Sequence, residues 1–265
     1  MLWLLAGGVS VLALIMAAVF FTMRGGSPGP AVSVTVPEQA PQPVRIPPEP
    51  SGVAGADLLT DAETLAGRFL SATRVDEILP LVRDPRVAEP RIRAFYPDGL
   101  IDAPGMSVFD SRAQPVRHQD HLAVHVRTAD FEERLMALFI TPGGLKIDWE
   151  SWVGWSEMPW DEFLIEKPAE PRLFRVRLKA VHYYNFAFAD DRKWCSWLLE
   201  SPDGKHAVYG YVERGSALES RLKPPSERKK SDLTLHLAFP ENAVTGNQVI
   251  VRGLVAEGWV TGTGG

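Results

Sequence analysis

Residues 146–163 read KIDWESWVGWSEMPWDEF, and they carry Trp149, Trp152, Trp155 and Trp160, half of the eight tryptophans in the 265-residue chain. Before this stretch the apolar residues recur first at helical and then at alternating spacing. After it they alternate almost throughout. The stretch is therefore where two differently built parts of the chain meet. Continuing a strand from Lys146 places Ile147, Trp149, Ser151, Val153 and Trp155 on one face, with Asp148, Glu150 and Trp152 on the other. The strand is expected to end near Gly154. Ser156 then caps a short helix with Pro159 in its first turn, in which Trp160, Phe163 and Leu164 share a face.

Two functional readings follow. In the first, the indoles are packing between two compact lobes. A Trp ring losing ~200 Å² of exposure contributes up to ~5 kcal/mol of gross transfer energy, enough for a few rings to fix one lobe on another. In the second, Trp152 and Trp155, joined by Trp194 and Trp197, form an exposed aromatic platform for glycans, peptides or unstacked bases. Packing is the reading preferred here.

Upstream, DAETLAGRFLSA places Leu65, Phe69 and Leu70 on one helical face, with Asp61 as N-cap. VDEILPLV gives a second short helix cut by Pro80, and RVAEPRIRAFY a third with Val87, Ile92 and Phe95 apolar. SVFDS, HLAVHVRT, RLMALFIT and LKIDWES then alternate or run apolar, with Pro142–Gly144 as a hairpin turn. Helices followed by an antiparallel meander make an α+β roll. In element order and length, residues 57–155 resemble the cystatin-like or NTF2-like superfold.

Past Pro168 the pattern is β with one inserted helix. RLFRVRLKAVHYYNFAF, KWCSWLLES and HAVYGYVER read as three strands, the first long enough to bend. SALESRLKPP reads as a helix capped by Ser216, and LTLHLAF and QVIVRGLVAEGWV complete five strands. Three strands, a helix and two strands is the order of the OB-fold, so residues 171–260 are expected to form an OB-like barrel. Residues 156–170 connect the two domains, and 261–265 form a tail.

The first 23 residues hold no charged side chain. They are long enough to cross a roughly 30 Å hydrocarbon layer, and residues 1–24 read as a retained single-pass anchor that meets the lipid bilayer through 2–23. Residues 25–56 form a Pro-rich linker containing Pro28, Pro30, Pro37, Pro41, Pro43, Pro47, Pro48 and Pro50. In polyproline geometry its proline-bearing part reaches as much as ~75 Å. Arg24 beside the span points to a cytoplasmic body. The layout of anchor, stiff tether and β-rich body points outward, and an extracytoplasmic body on the cell membrane is the reading taken.

FLSATRVDEILPLVRDPRVAEPRIRAFYP, with the later YYNFAFADDRKWCSWLLESPDGKHAVYGYVERGS and GWV, resembles an uncharacterised group of bacterial single-pass membrane-anchored proteins. The resemblance implies membership of that group and no chemistry.

The net charge of −5 lies wholly in the body, because Arg24, Arg45, Glu38 and Glu49 cancel before residue 57. That argues against a nucleic-acid partner. One cysteine, Cys195, excludes an internal disulfide, and its place in an apolar strand reads as structural. His121 and His125 fall on the polar face of a strand, more than ~13 Å apart, too far to share a metal ion. A small-molecule pocket in the first domain would have to use Tyr96, Asp110 and Asp148. Arg221, Lys223, Arg228, Lys229 and Lys230 form a basic patch that an OB-like barrel could turn to oligonucleotides or oligosaccharides. No phosphate loop, nucleophile elbow or HExxH stretch occurs, and no cofactor is implied. The expectation is a membrane-tethered, non-enzymatic binding or scaffolding protein of the bacterial cell envelope, with a protein or peptide partner. An NTF2-like enzyme is the alternative.

Overall fold

Ala62, Leu65, Ala66, Phe69 and Leu70 repeat every three or four residues and are all buried, so they draw one face of a helix into a core. That helix, α1, runs Gly52–Ser71 in a computed structural model that describes residues 52–111, 116–117, 120–222, 230–243 and 245–262. Asp61 therefore lies inside the helix rather than at its cap. The expected anchor and most of the Pro-rich linker lie outside the described residues. Among the described residues, no helix is long and apolar enough to cross a membrane.

After α1 come α2 (Val75–Ile78), a 3-10 turn at Leu79–Leu81 holding Pro80, and α3 (Pro85–Phe95). The first sheet pairs β1 (Met106–Phe109), β3 (His121–Thr128), β4 (Glu133–Thr141) and β5 (Gly144–Ile147) in that order, with β2 (Val116–Arg117) also on β3. Helix α1 packs on both β1 and β5, the two ends of this path, so the sheet curls around it as a half-barrel. Leu122, Val124 and Val126 alternate inward from β3, and β4 adds Met136 and Leu138.

The second sheet closes on itself. Its strands are β6 (Arg172–Ala180), β7 (Trp194–Glu200), β8 (Ala207–Glu213), β9 (Ser231–Ala238) and β10 (Gln248–Glu257). Around the ring the order is β6-β7-β8-β10-β9, and β9 returns to β6. Only the β8–β10 pair is parallel. Phe174, Val176, Leu178, Leu199, Val208 and Leu235 fill the interior. Gly210 leaves room for the core there, since a Cβ at that position would meet Leu199 Cδ1 at 2.5 Å and force that side chain to shift. Helix α6 (Ala217–Leu222) lies between β8 and β9 and packs on β8 and β10, with Ser216 Oγ accepting the Glu219 amide at 3.2 Å. Phe163 of α5 (Trp160–Glu166) seats against Phe174 and Phe239, with ring centroids 4.5 and 4.9 Å away.

Three further element boundaries differ from expectation. Strand β6 stops at Ala180, and the aromatic run beyond it becomes a loop with a 3-10 turn at Phe186–Phe188. Helix α5 begins at Trp160 with Pro159, not Ser156, at its N-cap. The strand expected to run through the tryptophans ends at Ile147, and Trp149–Val153 is a helix, α4. The half-barrel, the connection and the ring belong to one compact unit, Pro50–Gly265.

Candidate functional site

Because α4 is a helix, Trp149 and Trp152 stand at i and i+3 on one face instead of on opposite faces of a strand. Both enter the half-barrel core, 1% and 7% exposed. Phe69 meets Trp152 edge to face at 6.2 Å. Trp160 packs instead against the ring's core, 4.7 Å from Phe174. The tryptophans thus belong mainly to the separate cores of the two halves, not to a seam between them.

What crosses the seam is ionic. Along β6, Phe174, Val176 and Leu178 point into the ring, so Arg175 must point out, yet its exposure is 0%. The half-barrel covers it. Arg175 Nη2 donates to Glu150 Oε2 of α4 at 3.0 Å, Nη1 to the Trp155 carbonyl at 2.6 Å, and Nε to the Trp259 carbonyl at 2.7 Å. Glu150 also takes Arg91 of α3, whose guanidinium lies over the Trp155 ring at 4.6 Å. Beside this cluster Arg83 Nε donates to Asp148 Oδ1 at 3.0 Å and Nη2 to Thr261 Oγ1 at 3.3 Å. Burial pushes the Arg175 guanidinium below its ordinary range and the Asp148 carboxyl above its own, with Arg83 and Arg175 opposing the second shift. Gly154 closes the contact sterically. It ends α4 at φ 65°, and a Cβ there would lie 2.5 Å from both Cβ and Cγ of Pro202 in the β7–β8 loop.

Three hollows flank the clamp. One of about 410 Å³ holds Arg83, Asp148, Glu150 and Thr261. Another, of about 740 Å³, is lined by Tyr96, Arg134, Trp152, Arg177, Pro202 and Trp259. The third, of about 700 Å³, runs between α3, the 154–160 connection and the β7–β8 loop. Its walls are Pro90, Phe95, Trp155, Met158, Trp160 and His206, with Phe95 47% exposed. His206 lies parallel to the Trp160 ring at 6.1 Å.

The structure scatters the residues proposed from sequence. Trp152 and Trp197 are buried, at 7% and 6%, and so cannot form an exposed platform. Trp155 is half-buried at the junction, and Trp194 is half-buried at the start of β7, edge to face with Phe188 at 4.9 Å. Tyr96 lines the 740 Å³ cleft, where burial pushes its phenol up. Asp148 sits in the ionic cluster, and Asp110 is exposed beyond β1, so these three do not converge on one pocket. Of the basic patch, Arg221 lies in the last turn of α6 and Lys230 pairs with Glu200, while Lys223, Arg228 and Lys229 lie outside the described residues. Cys195 is buried and donates from Sγ to Glu219 Oε1 at 3.0 Å. Among the described residues no three His, Cys, Asp or Glu side chains are placed to hold a metal ion.

Sequence reasoning overlooked Arg175, Arg134 and Arg177. A signal was available: RVR in an apolar strand puts two arginines on the outer face of a barrel whose neighbour begins with Asp148 and Glu150. No protein-family model, curated protein or solved structure matches the chain.

Proposed function

We propose that this chain is a membrane-tethered, non-enzymatic binding protein of the bacterial cell envelope, and that its partner is a protein or peptide. The partner's extended, apolar segment lies in the aromatic groove between α3, the 154–160 connection and the β7–β8 loop. The carrying observation is that Phe95, Trp155 and Trp160 line one open hollow fixed between two clamped halves. Rigid aromatic walls bind extended peptide at low entropic cost, and proline-bearing segments most readily. The uncharged N-terminal run supports the tether. The finer fold assignment supports the same picture: a helix wrapped by a curled sheet suits a cystatin- or NTF2-like roll. A ring ordered β6-β7-β8-β10-β9, with a helix between its third and fourth strands, suits an OB-like barrel.

The test uses the full chain in detergent with two probes, a decaproline peptide and the same peptide carrying two leucines. Saturable quenching of tryptophan emission is expected for both, and Phe95→Ser should weaken it about tenfold without unfolding, because the ring is already half exposed. Unchanged affinity in that variant would remove the groove from consideration. Turnover of simple esters, phosphates or glycosides would replace the whole reading with an enzyme.

A further inference from the structure

Across the seam from the aromatic groove, the 740 Å³ cleft brings together two arginines from different sheets. Arg134 comes from the second position of β4, and Arg177 from the outer face of β6, two residues beyond the clamp. Each guanidinium lies on an indole, Arg134 at 3.8 Å from the Trp152 centroid and Arg177 at 5.4 Å from that of Trp259. Stacking fixes the plane of the fork and leaves its edge for hydrogen bonding.

The other arginines packed at or near the seam have their carboxylates. Arg83 has Asp148, Arg91 and Arg175 share Glu150, and Arg172 has Glu157. Arg134 differs. Among the described residues no carboxylate oxygen comes within 4.0 Å of its guanidinium, and its one hydrogen bond goes to the Trp152 carbonyl. Among the described residues, the one carboxylate that Arg177 reaches is Asp232, at 3.8 Å, beyond hydrogen-bond range. Burial pushes the Arg134 guanidinium below its ordinary value; Glu132 and Asp130 oppose this from a distance, and the like charge of Arg177 adds to it. Two like charges lining one half-dry cleft repel each other, and an anion bound between them relieves that repulsion.

We propose that this cleft is an oxyanion site, in which Arg134 and Arg177 together grip one carboxylate of a ligand whose apolar part lies along Ile101, Val153 and Pro202. A carboxylate fits better than a phosphate because of the rim. Asp102 and Glu132 stand exposed at the cleft's edge and repel a second negative charge. Glu133 is engaged by Arg127, and Asp203 by Ser201 Oγ at 2.5 Å and by Lys205 Nζ at 3.6 Å, so each carboxylate already has a cation of its own. The same rim turns nucleic acid away. Val153, Pro202 and Asp203 line both hollows, but Arg134 and Arg177 line this cleft and not the aromatic groove, so variants at the two arginines test this site separately from that groove.

The experiment titrates the full chain in detergent by calorimetry with N-acetylphenylalanine, its amide, and phenyl phosphate. Charge-assisted bidentate hydrogen bonds predict that the carboxylate binds at least about tenfold more tightly than the amide. It should also exceed phenyl phosphate. Arg177→Gln, at a side chain 40% exposed, should remove that preference while the melting temperature stays in place. Arg134→Gln should do the same to the binding. Equal affinity for acid and amide, or no binding of the acid up to about 10 mM, overturns the proposal. So does an unchanged preference in either variant. Tighter binding of phenyl phosphate overturns the assignment to carboxylate and transfers the site to phosphate ligands.

Discussion

Replacing Arg175 by Met tests whether the halves are clamped by charge. Methionine keeps most of the stem's volume, so the loss is confined to the guanidinium and its three hydrogen bonds. Removing one partner of a buried pair costs about 3–5 kcal/mol. Each carbonyl left dry, at Trp155 and at Trp259, adds up to about 1–3 kcal/mol. These losses overlap, because water entering the seam re-solvates both carbonyls and Glu150 keeps Arg91. The working figure is therefore about 4 kcal/mol, which for a body of this size lowers the melting temperature by roughly 8–16 °C. Urea unfolding followed by tryptophan emission and by far-ultraviolet dichroism reads the effect. A second signature separates a clamp from an ordinary core residue. Each half has its own hydrophobic core, so the variant should unfold in two steps where the parent unfolds in one. A cycle with Glu150→Gln should return a coupling of about 2 kcal/mol. A loss below about 1 kcal/mol with a single unchanged transition would refute the clamp.

Gly154→Ala should cost about 3 kcal/mol, from the left-handed backbone and the overlap with Pro202 together. Adding Pro202→Gly, which removes both the Cβ and the Cγ that the new methyl meets, should recover only part of it, and full recovery would mean that the backbone is unstrained. Asp148 supplies a pH test. Its folded-state pKa is raised by burial, so between the ordinary carboxylate value and that raised value the native state binds more protons than the unfolded chain. Its contribution therefore grows as pH falls into that window and shrinks as pH rises through it. Relative to Asp148→Asn, the parent should gain stability between pH 7 and about pH 4.5. An identical difference at both values would show that the buried carboxyl is fully compensated by Arg83.

The parts of the fold that were legible in the sequence are those set by local period. Alternation placed Leu122, Val124 and Val126 inward, and the spacing of Leu65, Phe69 and Leu70 marked the buried face of α1. The α+β class and the five strands after Pro168 followed from the same signals. The errors fell where local preference is weak and tertiary contact decides. IDWESWV fits a strand by its β-branched and aromatic residues, but Trp149 and Trp152 can both reach the same core only at helical spacing. The loop after Ala180 carries as many aromatics as a strand. Tyr183 stacks on Tyr209 at 3.8 Å and Phe188 on Tyr211 at 3.9 Å, so those rings fold over the ring of strands rather than extend it. The candidate sites were less legible than the fold, because an arginine's role depends on which carboxylate lies across a seam that no single-strand pattern records.

The ionic seam also decides what the hollows can do. A junction sealed by indoles alone could slide, since apolar contact has little directional preference. Arg175 fixes both distance and angle, because its planar fork meets two carbonyls and a carboxylate at once. It stands between the aromatic groove and the arginine cleft, donating to the carbonyl of Trp155, which walls the first, and to that of Trp259, which walls the second. One side chain thus holds a wall of each hollow while lining neither. Loosening it should weaken both binding events together, whereas Phe95→Ser and Arg177→Gln should each weaken only one.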